Sequence, residues 1–271
     1  MVMQQSVKVA TIQMVSGTEL MANLATAERL VLQAAKDGAQ LVVLPEYFVL
    51  MGQEDTDKVK IAETYGAGVI QSCLANLAKE AKVWIFAGTI PLKGAHAEKI
   101  RNSFLVLNPS GEVVTRYDKI HLFGFTKGEE SYDESRTIEP GADVVTLETP
   151  FGKIGLSICY DIRFPELFRQ MGEVDILMVV AAFTKTTGKA HWETILKTRA
   201  IENQCFLIAS GQGGKHQNGR ETFGHSMVID PWGDVLNIQA EGEGVVMATL
   251  EPARLQSVRE NLPALKHQVL K

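Results

Sequence analysis

A chain of 271 residues, 45% hydrophobic and 22% charged, has the composition of a soluble globular protein and is long enough to bury a substantial core. Its formal net charge of −5 gives no basic footprint for nucleic acid, and no apolar run approaches the ~20 residues that cross a bilayer, so neither partner is expected. Three scattered cysteines, Cys73, Cys159 and Cys205, with no Cys-x-x-Cys or His-x-x-x-His pair, argue against a disulfide framework and against a metal site. Residues 1–10 lack the basic-then-apolar pattern of a leader. Together these features predict a reducing, cytoplasmic setting in which a free thiol can act as a nucleophile.

Residues 7–13 alternate and are rich in β-formers, which predicts a strand. Residues 19–36 place Leu20, Leu24, Ala27, Leu30, Val31 and Ala34 at helical spacing, and Asp37-Gly38 ends that helix. Residues 41–44 form a short apolar strand running directly into Pro45-Glu46-Tyr47-Phe48. Residues 54–64 read as a polar loop with some helix, 69–82 as a helix and 83–88 as a strand. Residues 100–107 and 112–117 pair across Asn108-Pro109-Ser110-Gly111 as a hairpin that delivers Asp118-Lys119-Ile120-His121. The charged, turn-rich segment 126–141 is expected to be a surface loop or lid. A second hairpin, 144–147 with 153–158, leads into Cys159 and a short helix from Pro165 to Met171, proline being suited to a first helical turn. Then follow a buried strand at 176–182, a helix at 191–203, a strand at 204–210 and a glycine-rich loop at 211–224. A third hairpin (226–229 with 234–238), a last strand at 244–250 and a C-terminal helix and tail from Ala253 complete the chain. Helices alternating with strands, interrupted by hairpins, predict a single α/β domain over 1–271 with mixed sheets rather than a purely parallel one.

Cys159 sits where an apolar strand breaks into a segment of helix-start character. A thiol there is either a buried structural residue or a nucleophile that needs a base or a cation to act at neutral pH. A helix following it would lend its dipole, and the backbone N–H of Tyr160 would point toward an oxyanion on the thiol's target. Glu46, at the C-terminal end of a buried strand, lies where α/β sheets place their sites, and its alternative is an exposed loop acid. Lys119 is either a thiolate and oxyanion stabiliser or a solvated strand-end lysine. His121 is expected to be structural, Trp192 core or interface, and Cys73 and Cys205 core. Arg163, four residues past the cysteine, either binds a substrate carboxylate or forms an ion pair. Lys185, Lys215 and Arg220 are further candidate contacts for carboxylates. The Gly213-Gly214 segment lacks the strand-to-helix context of a phosphate cradle.

Leu44-Pro45-Glu46, Tyr117-Asp118-Lys119-Ile120-His121-Leu122 and Cys159-Tyr160-Asp161-Ile162-Arg163-Phe164-Pro165-Glu166 occur in an order and context that resemble the nitrilase superfamily of carbon–nitrogen hydrolases. The resemblance extends to Asp230-Pro231-Trp232-Gly233 and the tail around Pro263. It implies a four-layer α-β-β-α sandwich of two mixed sheets with helices outside, associating as a homodimer or higher homo-oligomer. It further implies that Glu46 is a general base, Lys119 an electrostatic stabiliser, Cys159 the nucleophile and Glu134 a second glutamate of the site, with Tyr160 and Arg163 binding substrate and no cofactor. His191-Trp192-Glu193, Arg199-Ala200-Ile201-Glu202 and residues 223–233 look most like the amidase branch, which includes omega-amidases and deaminated-glutathione amidases. The expected reaction is hydrolysis of a small carboxylate-bearing amide to acid and ammonia, deaminated glutathione leading the candidates. N-carbamoyl compounds, nitriles and a catalytically idle metabolite-binding scaffold remain alternatives. Gly124-Phe125-Thr126 and Thr184-Lys185-Thr186-Thr187 depart from the branch pattern.

Overall fold

A computed structural model describes residues 3–128 and 130–270. Residues 1–2 of the stretch read for a leader, Glu129 within the expected loop, and Lys271 at the end of the tail lie outside the described residues. The first third of the chain runs β1 (Val7–Gln13), α1 (Leu20–Lys36), β2 (Leu41–Val43), α2 (Asp57–Lys60), α3 (Val69–Ala81) and β3 (Trp84–Phe86). The middle adds β4 (Ile90–Lys93), β5 (Ile100–Leu107), β6 (Val113–Asp118), β7 (Gly124–Lys127), β8 (Glu130–Asp133), β9 (Thr146–Thr149) and β10 (Gly152–Ile158). Next come α4 (Pro165–Gln170), β11 (Ile176–Ala181), α5 (Lys185–Asn203) and β12 (Phe206–Gly211). The chain finishes with β13 (Gly213–Lys215), β14 (Glu221–Phe223), β15 (Ser226–Ile229), β16 (Val235–Gln239), β17 (Gly244–Leu250) and α6 (Pro252–Asn261).

Two mixed sheets form. The first has seven strands in the order β17-β1-β2-β3-β5-β4, with β6 on β5; the second has six, β16-β15-β12-β11-β10-β9. Within them β1, β2 and β3 run parallel, as do β10, β11 and β12, while hairpins close the flanks antiparallel. The inner faces meet: Val9, Val43, Phe86 and Phe104 of the first sheet share one apolar cluster with Leu156, Ile158, Val179 and Ile208 of the second. Hydroxyls also bond across, Thr11 Oγ1 donating to Ala209 O at 2.9 Å and Ser210 Oγ to Ile12 O at 2.6 Å.

The outer face of the first sheet is covered by α1 and α3. The apolar stripe Leu24, Ala27, Leu30, Val31 and Ala34 packs with Leu74 and Leu77 over Ala10, Ile12 and Val42. Burying each such leucine contributes about 1.5–3 kcal/mol. On the second sheet α4 and α5 contribute Phe168, Trp192, Leu196 and Ala200 to the cluster around β11. Every residue of β11 and β12 is buried, as expected of strands covered on both faces. The architecture is the expected α-β-β-α sandwich.

Four local expectations change. β4 was not anticipated, because Pro91 interrupts its pattern; the strand lies at the sheet edge, where a missing N–H is tolerated. The expected loop at 126–141 contains the β7–β8 hairpin and a 3-10 turn at Glu134–Arg136. The glycine-rich loop at 211–224 is also a hairpin, β13 with β14. Finally, α5 starts at Lys185 rather than His191. Thr184 caps it through Thr187 N–H, in a stretch whose three threonines and Gly188 have low intrinsic helix propensity. Among the described residues no helix is long and apolar enough to cross a membrane, and no cluster of three or more His, Cys, Asp or Glu is disposed to hold a metal ion.

Candidate active site

Glu46 enters on the turn after β2. Leu44 N–H extends the ladder by donating to Phe86 O at 2.9 Å, and Pro45, lacking an N–H, ends it. The end of β3 approaches closely because residue 88 is glycine, with φ +45°; a Cβ there would be driven into the Pro45 carbonyl oxygen. The Glu46 side chain is 1% exposed. Its Oε1 accepts from Asn102 Nδ2 and from Lys119 Nζ, both at 2.9 Å, and its Oε2 accepts from Ala182 N–H at 2.8 Å. Asn102 lies on β5, Lys119 just past β6 and Ala182 just past β11, so this carboxylate joins the two sheets.

Lys119 is fully buried. Its N–H donates to Asn102 O at 3.0 Å and its carbonyl accepts from Gly141 N–H at 2.8 Å, which fixes the backbone on both sides. Its ammonium spans Glu46 Oε1 at 2.9 Å and Glu134 Oε2 at 2.8 Å. Burial opposes the charge, but Glu134, Glu46 and the neighbouring Cys159 outweigh it and hold Lys119 above its ordinary value. Glu134 opens the 3-10 turn after β8. Its carboxylate also accepts from Tyr47 Oη at 2.9 Å and from Phe123 N–H at 2.7 Å. Burial alone would raise its pKa, but Lys119 and these hydrogen bonds bring it below the usual carboxylate value. Burial, then Glu134 and Glu46, push the Tyr47 phenol well up, so it remains a donor.

Cys159 has a φ of +49°, in the left-handed region, a strain of order 1–3 kcal/mol that the surroundings must support. It is buried, and it lines one small cavity together with Glu46. Burial, then the Glu46 charge, push its pKa well up, and Lys119 only partly opposes them. The thiol therefore rests protonated against a carboxylate, an arrangement that can pass its proton on as a substrate arrives. The short helix expected from Pro165 is present as α4, and between it and the thiol a 3-10 turn covers Cys159–Arg163. Any dipole on Cys159 comes from that one turn. Tyr160 is its second residue, among the helix-start N–H groups that have no intrahelical partner.

Asp161 braces this turn and was not singled out from sequence. It is fully buried. Oδ2 accepts from Ile158 N–H at 2.9 Å and Tyr117 Oη at 2.7 Å, while Oδ1 bonds His121 N–H at 3.0 Å and His121 Nδ1 at 2.8 Å. One carboxylate thus ties the residue before Cys159 to the residues two before and two after Lys119. His121, stacked on Phe164 with centroids 3.7 Å apart, has this structural role and does not pair with the thiol. Asn102, also missed, lies in the polar run Arg101-Asn102-Ser103 of β5, where nothing in the sequence separates it from its neighbours.

The cavity at Cys159 is tight, about 10 Å³. Glu46 and Glu134 line it with the aromatic side chains of Phe123, Tyr160 and Phe183. Thr184 and Thr187, from a departing segment, form part of its wall. Of the candidate carboxylate contacts, Arg220 lines the cavity. Arg163 does not; its guanidinium lies 5.2 Å from the Phe183 centroid and 5.8 Å from that of Tyr160, with Nη1 3.3 Å from His191 Nδ1. Lys185 forms a surface pair with Glu221 at 3.3 Å, and Lys215 is exposed. Trp192 is core, its Nε1 donating to His225 O at 3.1 Å. Cys205 is buried and pushed up to about 12 by burial, whereas Cys73 is half-buried on α3.

The sequence profile of the carbon-nitrogen hydrolase family matches residues 8–260. A Synechocystis protein named deaminated glutathione amidase is 42% identical over 266 residues, which cover 96% of this chain and 97% of that one. Two solved structures superpose closely. The Caenorhabditis elegans NitFhit protein has a TM-score of 0.90 at 33% identity, covering 99% of this chain and 66% of that one. Saccharomyces cerevisiae Nit3, described as a member of branch 10 of the nitrilase superfamily, has a TM-score of 0.86 at 31% identity, with 96% of each chain covered. With its sandwich and the full-length match, the chain belongs to the carbon–nitrogen hydrolase family of the nitrilase superfamily, as an enzyme of the amidase class.

Proposed function

We propose that Cys159 attacks the carbonyl carbon of a small carboxylate-bearing amide and hydrolyses it through a thioester, without a cofactor. The observation that carries this reading is that Cys159 shares a cavity with Glu46, which is itself bonded to buried Lys119. Glu46 takes the thiol proton as the S–C bond forms. The oxyanion is held by Lys119 and the Tyr160 N–H. The C–N bond then breaks and the proton on Glu46 passes to the leaving nitrogen. Water loses a proton to Glu46 as its oxygen attacks the thioester; the acid departs and the proton returns to sulfur. Glu134 shares the Lys119 ammonium with Glu46 and so holds it in place. Because Cys159 rests as a thiol, the thiolate forms only with substrate in place.

Deaminated glutathione is the proposed substrate, on the strength of the relatives that carry that name. It is a secondary amide at every C–N bond that could be cut, so its cleavage releases an amine rather than ammonia. An assay must therefore detect both. Arg163, moving from its stacked position, is the proposed contact for the carboxylate on the acyl side. The chain is proposed to act in the cytoplasm as a homodimer or higher homo-oligomer. A substrate panel of deaminated glutathione, α-ketoglutaramate, N-carbamoyl amino acids and nitriles, with intact-protein mass after a brief pulse, tests the reading. A Cys159 acyl adduct that Cys159→Ala lacks is expected. Absence of turnover across the panel would leave the idle scaffold as the better description.

A further inference from the structure

We propose that Lys58 and Arg220 form a subsite for a carboxylate on the leaving-amine side of the scissile bond, so that preferred substrates carry a carboxylate on each side of the amide. The proposal rests on the amidase reading above and deepens it.

Three cavities adjoin. Beyond the one at Cys159 lies a second of about 30 Å³ and then a third of about 110 Å³. Arg220 lines all three, and Lys58, Tyr47 and Tyr132 line both outer ones. These outer cavities do not include Tyr160 or Phe183, the rings on which Arg163 rests, so the two cationic ends are distinct. If Arg163 takes the acyl-side carboxylate, Lys58 and Arg220 are left to face the departing amine.

Neither cation is well matched. The Lys58 side chain is 14% exposed, yet its ion-pair partner Asp55 stands 4.0 Å away and is itself 68% exposed. Its ammonium lies 5.7 Å from the Tyr47 ring centroid. Arg220 sits 4.9 Å from the Tyr132 ring, with Nη2 reaching Ala182 O at only 3.5 Å and Nη1 facing Met51 Sδ. Its buried Nε has no hydrogen-bond partner among the described residues. A guanidinium with one unpartnered N–H and two long, weak contacts is suited to take a carboxylate in their place. The acids nearby do not supply one. Glu134 is engaged by Lys119, Tyr47 and Phe123, while Glu54, Asp55 and Asp133, which also line these cavities, are at or near the surface. Glu46 and Glu134 in the reaction cavity are balanced by Lys119 and Arg220, so an anionic substrate gains from the further positive charge of Lys58.

The test compares two amides with the same 2-oxo-dicarboxylate acyl group, one joined to cysteinylglycine and one to cysteinylglycinamide, which lacks the terminal carboxylate. For the wild-type enzyme kcat/KM should favour the free carboxylate by roughly tenfold to a hundredfold. That ratio should collapse toward one in Lys58→Met and Arg220→Gln, and return in Lys58→Arg. A ratio near one in the wild type, or one unaltered in both variants, overturns the subsite. Calorimetric binding to Cys159→Ala separates the two proposals. Preference for the free carboxylate without turnover by the wild type would overturn the substrate reading and keep the subsite. Turnover with equal binding of both amides would do the reverse.

Discussion

The cavity around Cys159 has two walls of different construction. Glu46, Lys119 and Cys159 all stand one to three residues past the ends of strands, and Glu46 and Lys119 are held by bonds from other elements of the chain. The other wall comes from Phe123 and Glu134, which flank the β7–β8 hairpin, and from Arg220 at the β13–β14 turn, with Lys58 on the one-turn helix α2 lining the cavities beyond. Outside the cavity these elements are mostly exposed and bury little apolar surface. A wall braced by two sheets suits chemistry that tolerates no displacement, since a shift of about 1 Å can cost roughly 100-fold in rate. A wall of hairpins tolerates sequence change and suits the choice of substrate. Glu134 links the two, being contributed by the hairpin side yet bonded to the buried lysine.

The sharpest way to break this contrast is Cys159→Ala, expected to lower turnover by roughly 10⁴-fold or more while the melting temperature stays near that of the parent. Near-normal steady-state activity in that variant would refute the assignment. Lys119→Met comes next. It leaves Glu46 and Glu134 buried without their cation, at a cost of about 3–5 kcal/mol at neutral pH. Urea titrations at pH 7 and pH 5 should show the deficit shrinking in acid as the freed carboxyls take up protons; an equal deficit at both would disprove the electrostatic account.

Asp161→Asn should act on geometry. It keeps the shape but loses charge-assisted bonds to Tyr117 and His121, and kcat should fall roughly 10- to 100-fold with KM little changed. A selective rise in KM would argue instead for substrate contact.

The pH dependence of stability tests the resting charges. Glu134 is held low, so its contribution is present above the ordinary carboxylate value and lost as pH falls through the lowered one. Cys159 is held high, so its contribution is fully present below the unfolded thiol's value near ~8.5 and lost as pH rises toward the native one. Denaturation curves of the parent should therefore weaken above about pH 8.5, and those of Cys159→Ala should lack that component. Parallel alkaline limbs would show that the native thiol is not held above the unfolded value. The smallest effect is expected at Lys185→Gln, which removes an exposed pair with Glu221 and should change activity by less than about twofold.

Sequence alone determined the alternation of strand and helix and the mixed character of the sheets, which are written locally in apolar periodicity and turn residues and so are legible without contacts. Read one at a time, Glu46, Lys119 and Cys159 each kept a structural alternative; the resemblance in three ordered segments singled them out together and added Glu134. Segments of low local propensity were misread: Pro91 hid an edge strand, threonines and Gly188 hid the first turns of α5, and glycines hid the β13–β14 pairing. In each the conformation is set by neighbours brought from elsewhere in the chain. Tertiary structure likewise decided that Asp161 clamps the cysteine turn to the lysine segment and that the resting thiol is protonated. It also decided that Arg220, rather than Arg163, lines the cavity in this state. Burial and charge at a point depend on every element that meets there, and at Glu46 those elements lie as much as 166 residues apart along the chain.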